Sequence, residues 1–329
     1  MRYVGIDLHK ERITVCVVDQ DRNVRQTRKF PCADPARIEA FFAALGPFEA
    51  VVEATASYEW LLGRIEPLAR RVVLAHPGKL RVIAESTRKS DKLDARVLAE
   101  FLALDMNPQA YRPTPRQREH RALVRHRQFL MKERTQVRVK VRRILSDSNA
   151  DRRDLFARGG RDHIAAVPLS DSDRFIVDQM LIQLSSFEAQ LAELRTRLRQ
   201  FATAASAAEQ RHRQVLQSVT GVGEVTTEVV LAELGDIRRF RSAKQVVAYA
   251  GLAPGRRESA GKVRELGITK QGSPLLRWVL VEAAWQAVRR SAYWRGIYRA
   301  LKQRRGARRA IVAVARRLLE VLVALLRSG

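Results

Sequence analysis

Four carboxylates, Asp7, Glu53, Asp91 and Asp94, stand where one metal-binding active site would draw its ligands. Asp7 ends the apolar run Tyr3-Val4-Gly5-Ile6-Asp7, and Glu53 ends Ala50-Val51-Val52-Glu53, so each pattern predicts a strand with an acid at its tip. Asp91 and Asp94 lie three apart at the start of a predicted helix, which puts both on one face about 5–6 Å apart. Carboxylate oxygens suit a hard cation, Mg²⁺ or Mn²⁺. Two such ions about 4 Å apart can stabilise the attacking and leaving oxygens of phosphoryl transfer. Taken singly, each acid has an ordinary explanation: a strand-end polar group, a surface glutamate, two aspartates favoured by a helix macrodipole. Their order across strand, strand and helix is what points to a shared site.

The surroundings of these acids are basic. The chain has 329 residues, a formal charge of +26 and a pI near 11.2, which implies a polyanionic partner, nucleic acid before membrane. The excess is localised. Residues 1–110 carry 17 Lys/Arg against 15 Asp/Glu, residues 116–143 carry 11 against 2, and residues 256–309 carry 15 against 3. Cys16 and Cys32 have neither metal-ligand spacing nor a disulfide framework, which suits a reducing cytoplasm. The first residues read as an acid-bearing strand rather than a signal peptide. Arg316, Arg317 and Glu320 break the apolar C-terminal helix into runs far too short for a membrane span. The expectation is a soluble protein of the bacterial cytoplasm, associated with the nucleoid when bound.

The elements that must position the acids follow from the pattern. Strands are expected at Tyr3–Asp7, Ile13–Val18 and Val24–Phe30, then a helix capped by Asp34-Pro35, the Glu53 strand, a helix from Ser57, and the strand Arg71–Ala75. Three consecutive strands followed by alternating helices and strands is the order of an α/β ribonuclease-H-like fold. Pro108, Pro113 and Pro115 mark a boundary, beyond which the pattern is helical. Val177, Met180, Leu184, Phe187, Leu191, Leu194, Leu198 and Phe201 alternate spacings of three and four, predicting a coiled coil within the chain or between chains. Val219-Thr220-Gly221-Val222-Gly223 reads as the turn of a helix–hairpin–helix, with Gly221 and Gly223 letting backbone N–H groups approach a phosphate. A polar, basic loop is expected from Pro254 to Gly272, with helix from Pro274 onward in a mainly α C-terminal region. The expected domains are 1–110 (metal-binding, catalytic), 111–210 (basic helix and coiled coil) and 211–329 (with a candidate nucleophile).

Nucleic-acid contacts are expected from Lys89, from Arg121, Arg125, Arg134, Arg138 and Lys140 on the basic helix, from the two turn glycines, and from Arg256, Arg257, Lys262 and Lys270. Within that last group stands Ser259, in Pro254-Gly255-Arg256-Arg257-Glu258-Ser259-Ala260-Gly261-Lys262. Basic neighbours could bind a scissile phosphate and stabilise charge in its transition state. No histidine is nearby in sequence, so a metal or a group from elsewhere would have to activate the hydroxyl.

With these residues in view, the chain resembles the DEDD-type insertion-sequence transposases, described as bridge-RNA-guided recombinases. The carrying segments are Val4–Lys10, Glu53–Tyr58, Lys89–Ala95, Val219–Gly223, Tyr249–Pro254 and Gly267–Gly272, in order along nearly the whole length. The resemblance implies a RuvC-like nuclease domain whose Asp7, Glu53, Asp91 and Asp94 bind Mg²⁺. It also implies a coiled-coil connection and a C-terminal transposase domain with a serine nucleophile, matched by Ser259. The implied reaction is serine attack on a DNA phosphodiester at element ends and target, giving a phosphoserine link and a free 3′-OH before strand exchange. Implied too are guidance by a structured noncoding RNA and a homo-oligomer, dimer or tetramer, in which acids and serine meet across subunits. This chain departs from the family pattern at Ala56, where Gly is common, and at Ala260, which separates the serine from Gly261. Ser242 and Ser273 are the fallback nucleophiles.

The competing enzyme is a junction resolvase or nuclease with the same acids, using metal-bound water. A non-enzymatic nucleic-acid-binding protein is disfavoured by four acids that would repel one another without a metal. Changing Lys or Arg within 116–143 to Gln is expected to weaken nucleic-acid binding and to flatten its log–log salt dependence by about 0.9 per lost phosphate contact. An unchanged slope in a salt titration would make this helix a scaffold only.

Overall fold

Alternating apolar residues in the first third form a five-stranded sheet. A computed structural model describes residues 1–54, 57–83, 91–259 and 262–328; at 81–83, 91–93, 256–259 and 262–265 it describes the backbone alone. The strands are β1 (Arg2–Leu8), β2 (Arg12–Val18), β3 (Val24–Pro31), β4 (Phe48–Glu53) and β5 (Arg71–Ala75), in the spatial order β3-β2-β1-β4-β5. β1, β2 and β3 pair antiparallel, whereas β4 joins β1, and β5 joins β4, in parallel. Parallel neighbours need crossovers, supplied by α1 (Pro35–Ala43) between β3 and β4 and by α2 (Glu59–Ile65) between β4 and β5. Asp34 caps α1 by accepting the Arg37 N–H at 3.1 Å. α3 (Pro77–Ile83), which the pattern did not suggest, precedes α4 (Asp91–Ala103).

One helix fixes the geometry that matters. α4 crosses the sheet over Gly5: a Cβ there would overlap the Ala95 carbonyl oxygen and lie 2.5 Å from the Ala99 nitrogen. Ala95 and Ala99 pack with Cys16 and Val18, and Tyr3 and Ala103 adjoin that cluster. Tyr3 lies opposite Val18, so the C-terminal end of α4 sits at the Tyr3 end of β1 and its first turn at the Asp7 end. These 112 residues form the first compact unit, Met1–Arg112.

The second unit, Pro113–Gly329, is mainly helical. Its elements are α5 (Pro115–Asp147), α6 (Gly160–Ala166), α7 (Asp171–Thr203), α8 (Ala207–Gln217), α9 (Glu224–Leu234), α10 (Ala243–Tyr249), the strands β6 (Pro254–Ser259) and β7 (Lys262–Ile268), α11 (Pro274–Arg290), α12 (Ala292–Arg305) and α13 (Ala307–Ser328). Thr114 and Ser170 cap the two long helices, accepting N–H bonds from Gln117 and Asp173. α5 and α7 run antiparallel: Val141 and Leu145 cluster with Val177, while Val124 and Leu130 cluster with Leu194 and Leu198. Val177, Leu184, Leu194 and Leu198 of the heptad pattern are buried. The main core joins α9, α10, α11 and α13, with Leu318, Leu319 and Leu322 fully enclosed. Among the described residues no helix is long and apolar enough to cross a membrane.

The expected loop from Pro254 to Gly272 is instead largely an antiparallel hairpin, with β6 paired to β7 from Pro254↔Ile268 to Ser259↔Lys262. Val263, Glu265 and Gly267 alternate with Arg264, Leu266 and Ile268. Ile268 packs against the core, so one apolar anchor and cross-strand pairing hold a strand whose polarity suggested a loop.

Charge is also buried in this unit. Arg213 donates to both Glu228 oxygens at 2.7 and 3.1 Å and pairs with Glu209 at 2.9 Å. His120 Nε2 lies 2.7 Å from Glu228, its ring against Phe201. Burial pushes the Glu228 carboxyl up, but hydrogen bonds from His120 and Arg213 outweigh it and hold the group below its ordinary range. Arg116 reinforces the cluster through Glu209 and stacks 4.0 Å from the Phe201 ring centre.

Two outcomes follow. Gly5→Val should destabilise the first unit by roughly 3 kcal/mol or more, read as a lower urea midpoint, because α4 must lift from the sheet. Gly5→Val at wild-type stability would refute the close packing. A depressed carboxyl contributes stability above its unfolded pKa of about 4.3, and that stability is lost as pH falls below it. Glu228→Gln should therefore destabilise the second unit at pH 7 by about 3–5 kcal/mol, read as a lower melting temperature, while flattening the fall of that temperature below about pH 4. A melting curve that keeps its full acid dependence would assign that dependence elsewhere.

Candidate functional site

Strand register places two of the four acids together. Gly5 lies opposite Val51, and Ile6 opposite Val52, on the parallel pair β1–β4. Ile6 and Val52 belong to one core, while Val51 packs with Leu98 and Leu102 of α4 on the other face. Side chains alternate along a strand, so Asp7 and Glu53 fall on the α4 face at the tips of adjacent strands. The first turn of α4, with Asp91 and Asp94, reaches that same end of the sheet. Asp7 is 7% exposed, and His9 Nε2 lies 3.0 Å from its Oδ2. Glu53 is half-buried and Asp94 exposed. The Asp91 side chain lies outside the described residues, and among the described ones no group of three His, Cys, Asp or Glu stands close enough to hold a metal.

Ser259 ends β6, paired with Lys262 of β7. Its side chain, with those of Arg256, Arg257 and Lys262, lies outside the described residues. Both fallback serines are engaged locally: Ser242 Oγ accepts the Gln245 N–H at the start of α10, and Ser273 Oγ accepts the Leu276 N–H at the start of α11. Capping occupies these hydroxyl oxygens. Lys270, exposed, follows β7 with φ of 57°.

Several cations expected to contact nucleic acid are bonded to groups of the fold. Arg121 donates to the Ala232 and Glu233 carbonyls at the end of α9, both at 2.8 Å. Arg125 makes a two-pronged bond to the buried Glu233 carboxylate, both at 2.9 Å. Arg138 pairs with Glu188 of α7 at 2.8 Å. Arg134 is half-buried, its charged form opposed first by burial and then by the Arg138 charge. Lys140 is exposed, and Lys89 lies outside the described residues. Gly221 has φ of 93° and passes so close to α11 that a Cβ would lie 2.6 Å from the Ala283 oxygen. Gly223 is exposed at the N-cap of α9.

Sequence reasoning missed the His120–Glu228–Arg213 cluster. Its signal was present in Glu228 and Glu233, acids five apart among the apolar residues of Glu224–Leu234, which need internal partners when buried.

Comparison with known proteins bears on the whole chain. The DEDD transposase family matches residues 4–149, and the family described as "Transposase IS116/IS110/IS902 family" matches residues 213–299. The transposase for insertion sequence element IS1111A of Coxiella burnetii is 26% identical over 99% of this chain and 90% of its own. A probable family 20 transposase of Pseudomonas aeruginosa is 28% identical, covering 98% and 96%. The pilin gene-inverting protein of Moraxella bovis is 25% identical, covering 99% and 96%. The DEDD domain implies a ribonuclease-H-like fold for the first unit, in keeping with its strand order, and a need for a divalent metal ion. With two family matches in chain order and relatives aligned end to end, the chain belongs to the DEDD-type insertion-sequence transposases and is a DNA-transposing enzyme.

Proposed function

We propose that this transposase cleaves and exchanges DNA strands through Ser259, with Asp7, Glu53, Asp91 and Asp94 as the ligands of a divalent ion. The observation that carries the reading is the convergence of two acid-tipped parallel strands and the α4 first turn at one end of the sheet. Its donor set is made of hard carboxylate oxygens, which suit Mg²⁺, with Mn²⁺ as an alternative. When bound, such an ion supplies charge neutralisation for the phosphodiester. The buried Asp7, fixed on a central strand, contributes an anchored ligand, and exposed Asp94 faces the solvent from which substrate arrives.

In the proposed chemistry the Ser259 oxygen attacks phosphorus, its proton passes to a nearby base, and the P–O3′ bond breaks. The products are a phosphoserine and a free 3′-OH. Arg256, Arg257, Lys262 and Lys270, grouped on and beside the β6–β7 hairpin, would hold the phosphate. Exposed Lys140 and the α8–α9 turn, read as a helix–hairpin–helix with Gly223 open at its N-cap, are further backbone contacts. A structured guide RNA would share the basic surface. We read residues 1–110, 111–210 and 211–329 as catalytic, connecting and transposase regions. Phe175 and Ile182 are exposed on α7 beside its buried seam, which favours a homo-oligomer built on this coiled-coil arm.

The test is a covalent trap. Protein incubated with element-end DNA and its RNA, then denatured, should yield a protein–DNA adduct that Ser259→Ala abolishes. Hydrolysed ends made equally well by Ser259→Ala would favour a resolvase or nuclease using metal-bound water. Asp94→Asn should reduce strand exchange at least 100-fold with RNA affinity nearly unchanged, as mobility-shift titration would read. Retained exchange would remove Asp94 from the metal site.

A further inference from the structure

Helices α5, α7 and α9 meet around a cavity of about 300 Å³ that none of the assigned residues lines. Its walls are of two kinds. Val124, Leu198 and Val229 present apolar surface, while Arg127, Arg195 and Arg199 bring three positive charges to one opening. The two acids at the cavity cancel only part of this charge. Glu228 is committed to Arg213 and His120, and Glu224 forms an ion pair with Arg199 at 3.7 Å, which leaves Arg127 and Arg195 without an ion-pair partner among the described residues. Burial, then the like charges of Arg195 and Arg134, oppose the charged form of Arg127, with Glu224 the smaller opposing influence. Gln128, also on the wall, has its Oε1 buried without a hydrogen-bond partner among the described residues.

Pairing satisfies Arg199 but leaves Arg127 and Arg195 as two like charges at one opening. Like charges brought together around an apolar hollow are what an anionic ligand with a flat apolar part requires. The volume sits at the lower end of the range for small-molecule pockets, enough for one nucleotide and too small for a stacked run. We infer that the cavity receives a single unstacked nucleotide of the bound nucleic acid, its phosphate held by Arg127, Arg195 and Arg199 and its base set against Val124, Leu198 and Val229. Gln128 stands at the base edge, where its amide can exchange hydrogen bonds with ring nitrogens or exocyclic groups. Unstacking costs a few kcal/mol, and the buried base faces and charge-assisted phosphate bonds offset it. The inference rests on the nucleic-acid-transposing role, to which it adds a place where strand geometry is read.

The full-length protein can be titrated with 12-nucleotide single strands of DNA and of RNA, each carrying one central 2-aminopurine, and with the matching DNA duplex. The expected result is a rise in 2-aminopurine emission on binding a single strand and little on binding the duplex. The sugar giving the larger response identifies the strand source. Arg127→Gln with Arg195→Gln should weaken single-strand binding at least tenfold and remove the rise. Arg195→Gln alone, at an exposed position, keeps the test intact should the double variant fold poorly, as melting would reveal. Val225→Phe, which fills the wall, should remove the emission rise while leaving the salt dependence of overall binding in place. Wild-type binding with no rise, or variants that respond as wild type does, would overturn the pocket and leave the transposase reading standing. A wild-type chain that binds neither strand nor duplex would instead count against the reading itself.

Discussion

The contact between Gly5 and α4 governs what the first unit can do. A glycine in the middle of a central strand lets the helix backbone come within van der Waals distance of the sheet, with the small side chains of Ala95 and Ala99 and the Leu98 Cβ at the contact. That approach sets the depth and direction of α4. Helix rise per residue and strand rise per residue then decide where the first turn falls. From Ala95 back to Asp91 is about 6 Å of helix, and from Gly5 forward to Asp7 is about 6.6 Å of strand. The two distances match, so a packing requirement with no chemistry of its own brings acids distant in sequence to one end of a sheet.

The second unit separates total charge from available charge. Arg121, Arg125 and Arg213 carry three of the cations that make the chain basic, yet each is bonded within the chain to carbonyls or buried glutamates. Arginine suits this because its planar fork meets a carboxylate in two parallel bonds. The same side chains tie α5 to α9 and α8 to α9, so the basic helix is structural at its N-terminal half. Further along, Arg134 lacks such a partner for its Nε among the described residues, and Lys140 stays in solvent. A stretch that reads as one continuous basic face is therefore a mixture of cations held by internal partners, such as Arg121, Arg125 and Arg138, and cations left to solvent, such as Lys140.

The long helical pair makes a similar point about seams. A heptad pattern specifies that an apolar stripe will be covered, not what covers it. Here the antiparallel α5 covers that of α7 within the same chain, and Arg138 with Glu188 fixes the register midway. Phe175 and Ile182 remain outside that seam, and Phe129 and Val139 of α5 are likewise exposed.

How much of this was written in the chain depends on whether the signal was local. The strands of the sheet, the Asp34-Pro35 cap and the long helices were legible because alternation, capping and periodicity are near-neighbour properties. The positions of Asp7 and Glu53 at strand tips were legible for the same reason. The β6–β7 hairpin was not, since its residues are mostly polar and its apolar anchor Ile268 gains meaning only against a core assembled from elsewhere. Nor could the sequence say that Arg125 would find Glu233 across 108 positions. Sequence alone determined which residue types were on hand and the rhythm of helix and strand. Tertiary structure decided which cations were consumed internally, which acids shared an edge, and where a cavity was left, because those depend on contacts between segments whose separation along the chain carries no information about their distance in space.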